Sequence, residues 1–67
     1  MTFNIYYKIK KNKLVYVGLA KVDGVKTISF QSYESCVLFE DKLLRLMHNN
    51  ENVTHKKIKK LYKEVRE

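Results

Sequence analysis

Residues 14–31, LVYVGLAKVDGVKTISFQ, decide the reading of the fold. Two runs rich in β-branched and aromatic residues flank Asp23-Gly24, a dipeptide that favours a two-residue type I′ hairpin turn. The pattern predicts one strand over 14–22 and another over about 25–31. Such a turn pairs Val22 with Val25, so Leu19 faces Ile28 and Val17 faces Phe30, and those two pairs share one apolar side. Ala20 with Thr27, Gly18 with Ser29 and Tyr16 with Gln31 then share the other side.

Upstream, residues 3–10 alternate cleanly, with Phe3, Ile5, Tyr7 and Ile9 on one face and Asn4, Tyr6, Lys8 and Lys10 on the other. Lys11, Asn12 and Lys13 make a polar break. A three-residue loop there sets Ile9, Tyr7 and Ile5 opposite Val15, Val17 and Leu19. A two-residue loop is rejected, because it would bury Gly18 and Ala20 and expose valines. The expected sheet has an apolar face and an open face that carries Tyr6, Lys8, Lys10, Tyr16, Thr27, Ser29 and Gln31.

Downstream, Ser32 is a natural N-cap for a helix over 33–48. Tyr33, Cys36, Val37, Phe39, Leu43, Leu44, Leu46 and Met47 form its apolar stripe, with Leu38 off it and Glu40 inside it. A polar turn over 49–52 ends that helix, and Thr54 can cap a second one. There Ile58, Leu61, Tyr62 and Val65 follow helical spacing, and Lys56, Lys57, Lys59, Lys60, Lys63 and Arg66 fill most other positions. That apolar stripe must be buried, either on the first helix or across a homodimer interface. The expected architecture is α+β: a three-stranded antiparallel sheet backed by a helix, then a short basic helix. It forms one domain over 1–67, with the sheet and main helix in 1–49 and the basic helix in 54–67.

Sixty-seven residues leave room for one modest core, and none for separate catalytic and substrate domains. Fourteen Lys plus Arg against seven Asp plus Glu give a net charge of +7, a bias toward polyanionic partners. Cys36 is the single cysteine, so no intramolecular disulfide forms, and His48 and His55 do not complete a zinc site. The first residues read as a strand rather than a signal segment, and no apolar run is long enough to span a bilayer. The expectation is a cytoplasmic protein without a cofactor or membrane contact.

Catalytic constellations are missing too. The chain has no glycine-rich phosphate loop, HExxH or CxxC. Cys36 sits in the apolar stripe, and Glu40 and Asp41 are adjacent on a helix and so diverge. Glu40 is expected to pair with a lysine at the sheet edge. The reading is a non-enzyme.

The open sheet face offers more chemistry. Small residues there let another backbone approach, lysines suit phosphates, and tyrosines can stack or donate hydrogen bonds. Lys56 and Lys57 occupy the first turn of the last helix, where the macrodipole disfavours cations unless an anion is to be met.

A strand, a basic turn, a second strand and the run VDGVKTISFQSYESCVLFEDKL (residues 22–43) resemble two related groups. These are the APETALA-type plant DNA-binding domain and the arm-site-binding amino-terminal domain of tyrosine integrases. The resemblance covers about residues 6–47 and rests on Asp23-Gly24, the junction from Phe30 to Tyr33, and a helix with Cys36, Phe39 and Glu40 where the family pattern has Ala, Tyr and Asp. It implies a three-stranded sheet laid in the major groove and backed by one helix. The strands lack the family's Arg and Trp, and Ser29 stands where a glycine is common.

The sequence-based expectation is therefore a small nucleic-acid-binding module, for DNA ahead of RNA, such as a phage-type or regulatory accessory factor. Lys8, Lys10, Lys13 and Lys26 would hold phosphates, Tyr6, Tyr16, Thr27, Ser29 and Gln31 would face bases, and Lys56, Lys57 and Lys60 would add contacts. The alternative is a protein-interaction module that inhibits or redirects a larger host protein. It would dock on an acidic partner through the same face or through the edge strand beginning at Phe3. A third reading is a homodimer through Ile58, Leu61, Tyr62 and Val65.

Overall fold

The computed structural model describes residues 2–65. The elements run β1 (Phe3–Lys10), β2 (Lys13–Gly18), β3 (Lys26–Phe30), α1 (Tyr33–His48) and α2 (His55–Val65). All three strands are antiparallel to their neighbours, and the spatial order is β2-β1-β3. The α+β class and the three-stranded sheet agree with the sequence-based reading. The strand order does not.

No hairpin joins β2 to β3. β3 pairs with β1 instead, placing Phe3 opposite Phe30, Ile5 opposite Ile28 and Tyr7 opposite Lys26. The expected pairs Val22–Val25, Leu19–Ile28 and Val17–Phe30 are absent. Gly24 has φ of 80°, but Asp23 is not left-handed, so the dipeptide cannot form a type I′ turn, which needs both. The strand with the cleanest alternation gains most from the middle position. Tyr7, flanked on both sides, loses nearly all solvent contact, and Ile5, opposite Ile28, loses all of it. β1 is therefore the central strand, although its first residues, Phe3, Asn4 and Ile5, pair with β3 alone and lie beyond the end of β2.

The turn that does carry type I′ character is Lys11-Asn12, with φ of 53° and 62°. It closes a two-residue hairpin with Lys10 opposite Lys13 and Ile9 opposite Leu14. The rejected loop length is thus the real one, and a β-bulge removes the objection to it. Between Ile9 and Lys8 the register slips by one residue, so Val15 is extra and Tyr7 still meets Val17. Leu14 and Val17 face inward while Val15 is turned out, half exposed.

The connection over residues 19–25 must then cross β1. Gly18 lies opposite Tyr6 and Lys26 opposite Tyr7, so the two edge strands are staggered and meet only near the middle of β1. The chain passes over the face away from the helices. Tyr16 donates a 2.7 Å hydrogen bond to the Ala20 carbonyl, and a Cβ at Gly18 would meet Tyr16 Oη at 2.8 Å. A Cβ at Gly24 would lie 3.4 Å from Lys8 Nζ. Both partners are outer-face side chains, so the expected open face carries a crossover strap.

α1 has the predicted bounds. Ser32 Oγ accepts from the Ser35 amide, and the helix ends in a Schellman arrangement. Asn50 is left-handed at φ 55°, its amide bonds the Met47 carbonyl, and the Glu51 amide bonds the Leu46 carbonyl. Cys36, Phe39 and Leu43 face the core, but Tyr33 and Val37, expected in the stripe, are exposed. The ion pairs among the described residues are Arg45–Asp41 and Lys57–Glu51, so the Glu40–lysine pair is not formed.

α2 belongs to the same core. Its stripe is buried within the chain: Ile58 is fully covered, and Leu61, Tyr62 and Val65 pack beside it. The chain's own core thus covers Ile58 fully and Leu61, Tyr62 and Val65 in part. Thr54 Oγ1 accepts from the Lys57 amide at 3.3 Å, the N-cap geometry. Val53 just before the cap and Ile58 four positions after it occupy hydrophobic-staple positions, and both are fully buried. The Val53 amide also donates to the Asn12 carbonyl at 2.7 Å, tying the interhelix turn to the hairpin. Tyr62 closes an aromatic cluster with Phe30 and Phe39, ring centroids 5.1 and 6.2 Å away, and donates to the Ser29 carbonyl.

Candidate nucleic-acid interface

The residues singled out from sequence fall into three places. Tyr6, Lys8 and Tyr16 stand on the outer sheet face and are only partly exposed beside the strap. Lys10 and Lys13 lie at the hairpin, where Lys13 Nζ donates to the Asn50 carbonyl and helps hold the α1 terminus. Gln31 follows β3 and is exposed. These positions do not form one lysine-lined surface.

The third place is different. On a helical wheel of 3.6 residues per turn, Lys56, Lys59, Lys60 and Lys63 fall within an arc of about 100°. All four are exposed. The opposite arc holds Ile58, Leu61, Tyr62 and Val65, the core-facing stripe. Core packing thus fixes the direction in which the lysines point, which a frayed terminal helix could not do. Lys57 sits at the side of this arc and pairs with Glu51 at 3.6 Å.

β3 extends the same surface. A groove of about 490 Å³ runs between β3 and α2, lined by Lys26, Thr27, Ser29, His55, Lys59 and Tyr62 among others. So Lys26 joins α2, while Thr27, opposite Tyr6, and Ser29, which donates to Asn4 Oδ1, belong to the outer face and reach the groove at the sheet edge. Lys59, Lys63 and His55 complete the surface and were not among the residues singled out from sequence. The helical spacing of the two lysines with Lys56 and Lys60 was the available signal. His55 Nδ1 and the Tyr7 hydroxyl share a hydrogen bond of 3.2 Å, which fixes the first residue of α2 to the central strand.

No acidic side chain lies in the groove, and Glu64 is the acid closest in sequence to the lysine arc. The α2 N-terminus has no acid in its first turn, so its free amides and Lys56 add to one positive field. Elsewhere, burial pushes the Cys36 thiol pKa up and the Glu40 charge adds to that, as suits a neutral core side chain. Burial likewise raises the Tyr7 phenol.

Among the described residues no group of three or more His, Cys, Asp and Glu is placed to hold a metal ion, and no helix is long and apolar enough to cross a membrane. Fold and surface define a small α+β domain whose second helix presents a lysine face. No protein-family model, curated protein or solved structure matches the chain.

Proposed function

We propose that this protein binds nucleic acid through the lysine face of α2 and the adjoining β3 groove, by neutralising phosphates rather than by reading bases. The observation that carries this reading is the fixed arc of Lys56, Lys59, Lys60 and Lys63, held outward by a fully buried Ile58. From Lys56 to Lys63 the helix rises about 10 Å. Duplex DNA presents about one charge per 1.7 Å of axis, so roughly six phosphates lie along that span. The arc holds no Arg, Asn or Gln, the side chains that make bidentate contacts with base edges. Binding is accordingly sequence-tolerant.

The sheet-in-groove mode implied by the family resemblance is disfavoured, since the 19–25 strap lies over that face. The test is anisotropy titration of the full chain against duplex DNA, single-stranded DNA and duplex RNA over a salt series. Duplex DNA is expected to bind with a dissociation constant of about 1–100 μM and a log K against log salt slope near −4. Replacing all four arc lysines by Gln should flatten the slope by about 3. A slope unchanged by that substitution would refute the assignment to α2.

A further inference from the structure

We infer that the chain self-associates through the exposed flank of α1, in a two-fold arrangement that packs α1 antiparallel against the α1 of a second copy. This inference is independent of nucleic-acid binding and uses a different face.

Tyr33 is 65% exposed, Leu38 56% and Leu19, on the strap, 63%. They are not scattered. Leu19, Tyr33 and Val37 line one depression beside Phe3, and Tyr33, Val37 and Leu38 line the next. Contiguous apolar surface rimmed by charge is a mark of a docking site, whereas single exposed apolar residues need no explanation. On the other flank of α1, Ser35 shares a depression with Tyr62, so α2 lies on that side and does not reach the patch.

Charge selects the occupant. The protein carries +7 overall, so most of its surface repels a second copy. α1 is the exception, with Glu34, Glu40 and Asp41 against Lys42 and Arg45. Its exposed row at four-residue spacing reads Glu34, Leu38, Lys42. With a two-fold axis at Leu38, an antiparallel copy sets Glu34 against the second copy's Lys42 and Lys42 against its Glu34. The same packing opposes the two helix dipoles, and Val37, which lines the same depression as Leu38, borders the contact on one side. A patch of one helix face and a strap residue is small beside the roughly 800 Å² per partner of a standard interface, so the dimer is a weak one.

Sedimentation of the full chain between about 10 μM and 1 mM, in nuclease-treated and nucleic-acid-free solution, tests this. The wild type should shift from monomer to dimer within that range. Leu38→Glu should remain monomeric with an unchanged far-ultraviolet circular dichroism spectrum. Glu34→Lys and Lys42→Glu should each weaken association by about tenfold, because each creates two like-charge contacts per dimer. An equimolar mixture of those two variants restores both opposite-charge contacts and should dimerise like the wild type. A wild type that stays monomeric throughout overturns the inference, including the case in which a different protein covers the patch. So does a mixture no better than either variant alone.

Discussion

Ile58→Ala is expected to bring the whole domain close to unfolding. Ile58 has no solvent exposure and sits where α2 meets the sheet and α1. The substitution removes three carbons from that site. At about 0.8 kcal/mol per buried methylene the transfer loss is about 2.4 kcal/mol, and the residual cavity raises it toward 3–4 kcal/mol. A core of this size supplies only about 3–5 kcal/mol of net stability. One side chain of α2 is therefore worth most of the margin. Urea unfolding followed by far-ultraviolet circular dichroism measures the loss, with Lys60→Ala as a surface control expected within about 0.5 kcal/mol of wild type. A loss below 1 kcal/mol for Ile58→Ala would show that α2 is not docked, and with it would go the fixed direction of the lysine arc.

The two turns make opposite forecasts. Asn12→Val puts a β-branched residue at φ 62° in the hairpin and should cost about 1–2 kcal/mol, while Asp23→Ala should cost less than about 0.5 kcal/mol because no hairpin depends on it; paired urea midpoints decide, and the reverse ranking would restore a β2–β3 hairpin. Alkaline pH should weaken the fold. The Cys36 thiol and Tyr7 phenol have pKa values raised by burial, so above the ordinary thiol range the unfolded chain has released a proton that the native one keeps, and stability falls as pH rises. The readout is the slope of unfolding free energy between pH 7.5 and 9.5, which Cys36→Ala should make less negative than in the wild type; an unchanged slope contradicts the buried thiol.

Much of the architecture was legible in local chemistry. Ser32 and Thr54 mark both helix starts because their hydroxyls can take the orphan amides of a first turn, and both do. The period of two in β1 and the spacing of Cys36, Phe39 and Leu43 identified inward faces correctly. Strand order was not legible, because it rests on competition between non-local pairings. Asp23-Gly24 carries hairpin chemistry but serves a crossover, while Lys11-Asn12 makes the hairpin from a left-handed lysine that composition does not advertise. Val15 was hidden for a related reason: a bulge shifts the alternation by one residue, and an apolar side chain at the extra position reads as part of the inward row with Val17. Val53 was given no role, although its position directly before Thr54 and five residues before Ile58 marks a staple. The lysines of the candidate interface were visible singly. Their grouping with Lys26 was not, since it depends on α2 lying beside β3.

The most direct test is backbone amide chemical-shift mapping of the isotope-labelled protein titrated with a short duplex DNA at low salt. Shifts are expected at Lys56, Lys59, Lys60 and Lys63 and across Lys26 and Thr27, fading together as salt is raised, with Tyr6, Lys8 and Tyr16 left unmoved. Shifts centred on those three outer-face residues, or none at any position, would contradict the account.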